Sequence, residues 1–91
     1  MPSILIIEDD DLFREALAGA LTERGYKVMQ AADGEQGVKL VRTEPTDLVI
    51  TDMVMPNKEG IETIIQLRRD YPSVGIIAMS GGLAQDAPLY L

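Results

Sequence analysis

Four short apolar runs alternate with segments of helical periodicity along this chain, and that alternation most limits the fold. The runs cover residues 3–7, 27–31, 47–51 and 74–79. Three of them are rich in β-branched residues and leucine, as in strands buried on both faces, whereas 27–31 is weaker and fits a position near an edge. The order β-α-β-α-β-α-β with short connections predicts an α/β fold, a parallel sheet with helices on both faces. A length of 91 residues predicts one domain, 1–91.

Three segments carry apolar residues at helical spacing. Their apolar positions are Phe13, Ala16, Leu17, Ala20 and Leu21 in the first, Val38, Leu40 and Val41 in the second, and Ile61, Ile64 and Ile65 in the third. Gly25 is predicted to end the first helix, and Asp33 to cap the second, which stops before Pro45. The third helix is predicted to end near Asp70, and a fourth to begin around residues 86–88.

Composition removes several classes of function. A net charge of −7 disfavours direct binding to nucleic acid, which requires a basic face. The chain has no cysteine and no histidine, so thiol chemistry, thiolate metal sites and histidine bases are excluded. No apolar stretch approaches the roughly 18–20 residues of a membrane span, and no signal peptide is apparent. We therefore expect a cytoplasmic protein that uses carboxylates, hydroxyls, lysines or backbone groups, with no membrane contact.

Acidic residues follow two of the apolar runs. The first run leads into Glu8, Asp9, Asp10 and Asp11, and the third ends at Asp52. The carboxyl ends of parallel strands meet at one edge of a sheet, where ligands bind in such folds. We therefore expect one shared acidic pocket. Asp10 and Asp11 are predicted to serve the first helix instead, one of them as its cap.

Such a pocket suits Mg²⁺, which prefers oxygen ligands and keeps some of its waters. Asp9 and Asp52 are the predicted direct ligands, Glu8 acts through a bound water, and the Val54 carbonyl completes the set. A carboxylate beside the cation can attack a phosphoryl group, and the Ser80 hydroxyl can then donate to a phosphoryl oxygen. Without metal the carboxylates repel one another, so at least one should hold its proton more tightly and the cation should bind more weakly in acid.

Three motifs in this order resemble a response-regulator receiver domain over essentially the whole chain. They are Ile4-Leu5-Ile6-Ile7-Glu8-Asp9-Asp10, Asp52-x-x-Met55-Pro56-x-x-x-Gly60 and Ile76-Ile77-Ala78-Met79-Ser80-Gly81. The resemblance implies a flavodoxin-like three-layer sandwich with strand order 2-1-3-4-5. It implies that Asp52 is the phosphoacceptor and that Glu8 and Asp9 are the acidic pair. Ser80 would be the switch hydroxyl, and a sensor histidine kinase or phosphotransfer protein would supply the phosphoryl group.

The chain departs from this family after Ser80. Its lysines are Lys27, Lys39 and Lys58, so the family's phosphate-contacting lysine is missing, as are its fifth strand and last helix. We therefore expect a receiver domain that is incomplete at its C-terminus, with order 2-1-3-4. If the chain ends at Leu91, the run at 74–79 would be an open apolar edge, through which the chain could self-associate. The alternative is that these residues are a fragment of a longer protein.

Other functions remain open at this point. The same fold could serve as a protein-interaction or dimerisation module that is never phosphorylated, and in either case we expect no enzyme. A hydrolase with an aspartyl nucleophile would need a second acid two residues after Asp52, where Val54 stands. A nucleotide-binding flavodoxin-like protein would need a glycine-rich turn after the first strand, and that turn is acidic.

Overall fold

The computed structural model describes residues 1–52, 59–79 and 89–90. The strands are β1 (Ser3–Ile7), β2 (Lys27–Ala31), β3 (Leu48–Asp52), β4 (Gly75–Met79) and β5 (Leu89–Tyr90). The helices are α1 (Asp11–Glu23), α2 (Gly34–Thr43) and α3 (Glu59–Asp70). The predicted fourth helix falls on residues outside the described part.

One sheet runs through the molecule in the order β2-β1-β3-β4-β5, and its first four strands are parallel. The predicted order 2-1-3-4 is therefore confirmed, with β1 in the interior and β2 at an edge. Alternate residues of β1 point to opposite faces. Leu5 and Ile7 pack with α2 and α3, while Ile4 and Ile6 pack with α1. Helices on both faces of a parallel sheet give the three layers of the flavodoxin-like sandwich.

Close packing brings α2 against β1 at Gly37. A β-carbon added to this glycine would lie 2.8 Å from Ile7 Cγ1 and would also meet Ile7 Cδ1. A distance this short is a steric clash, so a larger residue would force the Ile7 side chain aside or move the helix away from the sheet. Gly37 therefore sets how closely α2 lies on the strand that leads into the acidic segment.

Local signals place the helix ends as predicted. Asp10 caps α1, since its carboxylate accepts a hydrogen bond from the Phe13 amide at 3.1 Å. Gly25 follows the helix with a φ of 95°, a left-handed conformation that favours glycine. Asp33 caps α2 through the Gln36 amide at 2.8 Å. The Gln36 side chain reaches back to the Ala32 amide, one residue before the usual partner in a capping box.

The predicted apolar faces of two helices are partly wrong. On α1, Phe13 is 46% exposed, whereas Ala18 is buried. On α3, Ile61 and Ile65 are 53% and 59% exposed, while Ile64 and Leu67 face the core. The buried stripe of α3 follows the 3.6-residue period through positions 60, 63, 64 and 67, so two of the three isoleucines lie on its flank.

The prediction that β4 forms an unpaired edge is also wrong. The two-residue strand β5 runs antiparallel to β4 and pairs Tyr90 with Ile77 and Leu89 with Ala78. The chain therefore pairs the middle of β4 itself, with two residues that no apolar run announces. β5 differs from the parallel fifth strand that the resemblance implies, and self-association through 74–79 loses the open edge on which it depended.

No helix in the described ranges combines the length and hydropathy that crossing a bilayer requires.

Candidate metal centre

The carboxyl ends of two neighbouring strands form the candidate site. In the ladder between β1 and β3, Ile7 pairs with Thr51. The next residue on each strand, Glu8 and Asp52, therefore lies at the same level of the sheet. Asp9 follows Glu8 in the turn that leads into α1. Sheet order thus brings together residues that are more than forty positions apart in the sequence.

Three carboxylates converge at this edge of the sheet. Glu8, Asp9 and Asp52 each offer an oxygen, and these oxygens all lie within 4.8 Å of one another. Glu8 is 3% exposed and Asp52 7%, whereas Asp9 is exposed. Burying two carboxylates side by side costs free energy, because both lose water and repel each other. A divalent cation at this position would offset both costs.

The donor set fits Mg²⁺ in chemistry and in spacing. Mg²⁺ takes carboxylate oxygens at about 2.1 Å in an octahedron, so two direct ligands lie about 3.0 Å apart when cis and about 4.2 Å apart when trans. A spread of up to 4.8 Å therefore needs only small side-chain rotation, or one water between a carboxylate and the ion. Glu8, Asp9 and Asp52 would hold the ion.

The Glu8 residue is held at all three of its polar groups. Its amide donates to the Ala31 carbonyl at 3.0 Å, which extends the β1–β2 ladder by one residue. Its carboxylate accepts from the Asp10 amide at 2.9 Å, and its carbonyl accepts from the Arg14 guanidinium at 2.8 Å. This turn therefore presents the Glu8 side chain to Asp52 in one orientation.

Burial raises the pKa of Glu8 from 4.5 to about 7. That rise already includes smaller contributions from the neighbouring Asp9 and Asp52 carboxylates, which also raise the pKa, and from the hydrogen bond of the Asp10 amide, which lowers it. The prediction that one carboxyl of the metal-free pocket holds its proton more tightly is confirmed for Glu8. A cation that binds here at neutral pH must therefore displace a proton from the fraction of molecules in which Glu8 is protonated.

The four consecutive acids after β1 divide between two tasks. Glu8 and Asp9 turn toward Asp52, whereas Asp10 caps α1. Asp11 forms an ion pair with Arg14 at 2.7 Å and is 73% exposed. Only the first two acids of the run therefore contribute carboxylate oxygens to the cluster.

Two predicted site residues, Val54 and Ser80, lie outside the described residues, as does Lys58. Of the other lysines, Lys27 begins β2, at the opposite edge of the sheet from the carboxylates, and Lys39 is exposed on α2. Neither takes the place of the phosphate-contacting lysine that the resemblance leads one to expect.

A cleft of about 390 Å³ lies elsewhere, between α2 and α3. Its lining mixes acidic Glu35 and Glu62 with basic Lys39 and Arg42, and it includes none of the three carboxylates. Opposite charges on exposed helix faces are common, and each such pair contributes little to the stability of the fold. The converging carboxylates, with one strongly raised pKa, make the better candidate for chemistry.

Sequence reasoning missed Arg14, which contacts the acidic segment from the second turn of α1. Its spacing of three residues from Asp11 could have indicated the ion pair. Its hydrogen bond to the Glu8 carbonyl depends on the path of the turn between β1 and α1, which residue types do not reveal.

Comparisons with known proteins agree with this fold. A family model described as the response regulator receiver domain matches residues 4–88. The transcriptional regulatory protein AfsQ1 of Streptomyces coelicolor is 46% identical over 69 residues, which are 76% of this chain and 31% of AfsQ1. The chain spans about a third of the length of the first curated relatives it matches.

Solved structures give the same result. The response regulator TrrA of Thermotoga maritima, in complex with Mg²⁺-BeF, is similar with a TM-score of 0.78 and 34% identity, over 84% of this chain and 66% of that one. The crystal structure of histidine kinase ThkA in complex with TrrA gives a TM-score of 0.84 and 31% identity, over 96% of this chain and 75% of the matched one. The chain belongs to the response regulator receiver domain family of two-component signalling.

Proposed function

We propose that this chain accepts a phosphoryl group on Asp52 in a reaction that depends on Mg²⁺. The observation that carries the proposal is the convergence of Glu8, Asp9 and Asp52, whose oxygens lie within 4.8 Å of one another. Asp52 ends a buried strand, so its carboxylate is held on a rigid element of the fold. Glu8 and Asp9 stand beside it and would bind the cation.

Asp52 is the nucleophile in the proposed reaction. A carboxylate oxygen of Asp52 forms a bond to phosphorus while the P–N bond of a phosphohistidine breaks, and the leaving imidazole nitrogen takes up a proton. The product is an aspartyl phosphate. Mg²⁺ held by Glu8, Asp9 and Asp52 would neutralise the negative charge that the carboxylate and the phosphoryl oxygens share.

The low exposure of Asp52 favours this role. At 7% exposure the carboxylate has little competing water, so its attraction to a cation is stronger than at an open surface. Asp9 is exposed and offers the side from which a donor and the ion can enter. Ser80 and Val54 follow the strand ends in sequence. They complete the proposed site: the Ser80 hydroxyl would donate a hydrogen bond to a phosphoryl oxygen, and the Val54 carbonyl would be a metal ligand.

The proposed donor is a sensor histidine kinase or a phosphotransfer protein. The likeness to a structure that contains histidine kinase ThkA together with response regulator TrrA supports a partner of this class. A cytoplasmic location accompanies the proposal, since intracellular ATP supplies the phosphoryl groups of such kinases.

Intact-mass spectrometry after incubation with acetyl phosphate tests the proposal. We expect one phosphoryl group per chain when Mg²⁺ is present and none when EDTA replaces it. Asp52→Asn should abolish the addition. Asp33→Asn is the matched control: it makes the same chemical change at the same edge of the sheet, and asparagine caps a helix as well as aspartate does.

A phosphoryl group that Asp52→Asn still accepts would contradict the assignment of the nucleophile. If the wild-type chain accepts none from acetyl phosphate or from a phosphorylated kinase, it is instead an interaction module without a phosphorylation cycle.

A further inference from the structure

Arg14 contacts three elements around the acidic turn. Its Nη1 donates to the Glu8 carbonyl at 2.8 Å, its Nε donates to Gln30 Oε1 at 3.2 Å, and its Nη2 pairs with Asp11 at 2.7 Å. The Arg14 side chain is only 12% exposed. A planar guanidinium bound in three directions has little freedom to move. It therefore joins α1, β2 and the end of β1 at one point.

The hydrogen bond to the Glu8 carbonyl affects Asp9 as well as Glu8. That carbonyl belongs to the peptide unit that joins the two residues, and a peptide unit rotates as one plane. Holding its oxygen therefore limits the direction in which the Asp9 side chain leaves the backbone. The Glu8 amide is bound to the Ala31 carbonyl and the Glu8 carboxylate to the Asp10 amide, so the Arg14 hydrogen bond fixes the third polar group of this residue.

We propose that Arg14 is the positioning residue of the cation site: it orients the Glu8 and Asp9 carboxylates for Mg²⁺ and withdraws Asp11 into an ion pair. This inference rests on the proposed function, because it assumes that the carboxylate cluster binds Mg²⁺. Arg14 would act through the Glu8 carbonyl and Asp11, with no direct role toward the ion or the phosphoryl group.

The sign of one measurement separates positioning from simple electrostatics. Replacing Arg14 with Gln removes a positive charge near the carboxylates and releases Asp11, so Coulomb's law alone predicts tighter binding of a cation. A positioning role predicts weaker Mg²⁺ binding instead, because without Arg14 the turn is freer and the Glu8 and Asp9 carboxylates no longer hold the orientation that the ion requires. Residues that orient metal ligands typically contribute about 10–100-fold to metal affinity, and we expect a loss of about tenfold.

The ratio of Mg²⁺ to Ca²⁺ affinity is a second measurement, and a general loss of stability would not change it. Mg²⁺ demands near-ideal octahedral geometry, whereas Ca²⁺ accepts longer and more variable arrangements. A site with loosened ligands should therefore lose Mg²⁺ affinity more than Ca²⁺ affinity. Arg14→Gln should lower the Mg²⁺-to-Ca²⁺ affinity ratio by about three- to tenfold.

Titration calorimetry with each ion tests the proposal on the wild-type chain, Arg14→Gln, Arg14→Lys and Arg24→Gln. Arg24 caps the other end of α1, and Arg24→Gln makes the same charge change there, so we expect it to leave both affinities unchanged. Arg14→Lys keeps the charge but cannot hold three partners in a plane, so it should lose part of the Mg²⁺ affinity. Should Arg14→Gln fail to fold in EDTA, Arg14→Lys decides the matter, because electrostatics alone predicts no change for it.

Equal or tighter Mg²⁺ binding by Arg14→Gln, or an unchanged affinity in Arg14→Lys, would overturn the positioning role and leave the Mg²⁺ site intact. A wild-type chain that binds neither ion would overturn both proposals.

Discussion

Replacing Glu8 with Gln should stabilise the metal-free fold above neutral pH while weakening Mg²⁺ binding. Glutamine has the shape of glutamate without its charge, and its carbonyl oxygen can still accept the Asp10 amide. The variant therefore keeps the local hydrogen bond and removes only the cost of burying a charge beside Asp9 and Asp52. We therefore expect the ionised Glu8 side chain, although it belongs to the site, to destabilise the metal-free fold.

The size of this effect follows from the pKa of Glu8, which burial raises from 4.5 to about 7. The difference of about 2.5 corresponds to at most about 3 kcal/mol, at 1.36 kcal/mol for each pKa unit. Since the folded pKa is the higher one, the stabilising contribution of protonated Glu8 is complete below pH 4.5 and is lost as the pH rises through 7. The wild-type chain should therefore lose about 1–3 kcal/mol between about pH 5 and pH 8.

Few other groups should interfere in this range. The chain has no histidine. The ion pair on α3 raises the pKa of Arg69 and lowers that of Asp70, so both groups titrate outside the window. Within the described residues, the expected slope therefore belongs to Glu8.

Urea denaturation in EDTA at about pH 5 and about pH 8 measures the effect. We expect Glu8→Gln to remove most of the pH dependence and to exceed the wild-type chain in stability at the higher pH. Glu15→Gln, an exposed change on α1, should alter stability by less than about 0.5 kcal/mol. If the wild-type chain is equally stable at both pH values, or if Glu8→Gln is the less stable protein at high pH, the argument from burial is refuted.

Three further predictions concern the ion, the packing and a cap. Below about pH 7, the Mg²⁺ affinity of the wild-type chain should fall by up to about tenfold for each pH unit, because the ion must displace the Glu8 proton. Calorimetry at several pH values measures this, and an affinity that does not change with pH would contradict it. Gly37→Ala should cost about 1–3 kcal/mol in urea denaturation by forcing Ile7 aside, whereas Gly19→Ala, with open space around it, should stabilise by about 0.5–1 kcal/mol. Asp33→Ala should cost about 1 kcal/mol and Asp33→Asn almost nothing, and equal losses would refute the capping role.

Much of the fold was predictable because its signals are local. A continuous run of β-branched residues and leucine predicted β1 to the residue, and the weaker segment 27–31 predicted β2 with the same bounds. Gly25 and Asp33 act at the helix ends where they were expected. The convergence of Glu8, Asp9 and Asp52 followed from one further step, that parallel strands end at the same edge of the sheet.

What failed depends on geometry that periodicity does not carry. Ile61 and Ile65 fit a helical spacing, yet the direction in which α3 faces is set by its packing on the sheet, and both lie exposed. The strand β5 has two residues, too few for any pattern. Arg14 acts through a backbone carbonyl, which every residue possesses and which no residue type marks.

Reductive trapping tests whether Asp52 is phosphorylated beside a bound cation. Borohydride converts an aspartyl phosphate to homoserine, which tandem mass spectrometry locates in the sequence. After treatment with acetyl phosphate, we expect homoserine in place of Asp52 when Mg²⁺ is present and none when EDTA replaces it. Reduction at Glu8 or Asp9, or trapping at Asp52 without a divalent cation, would contradict it.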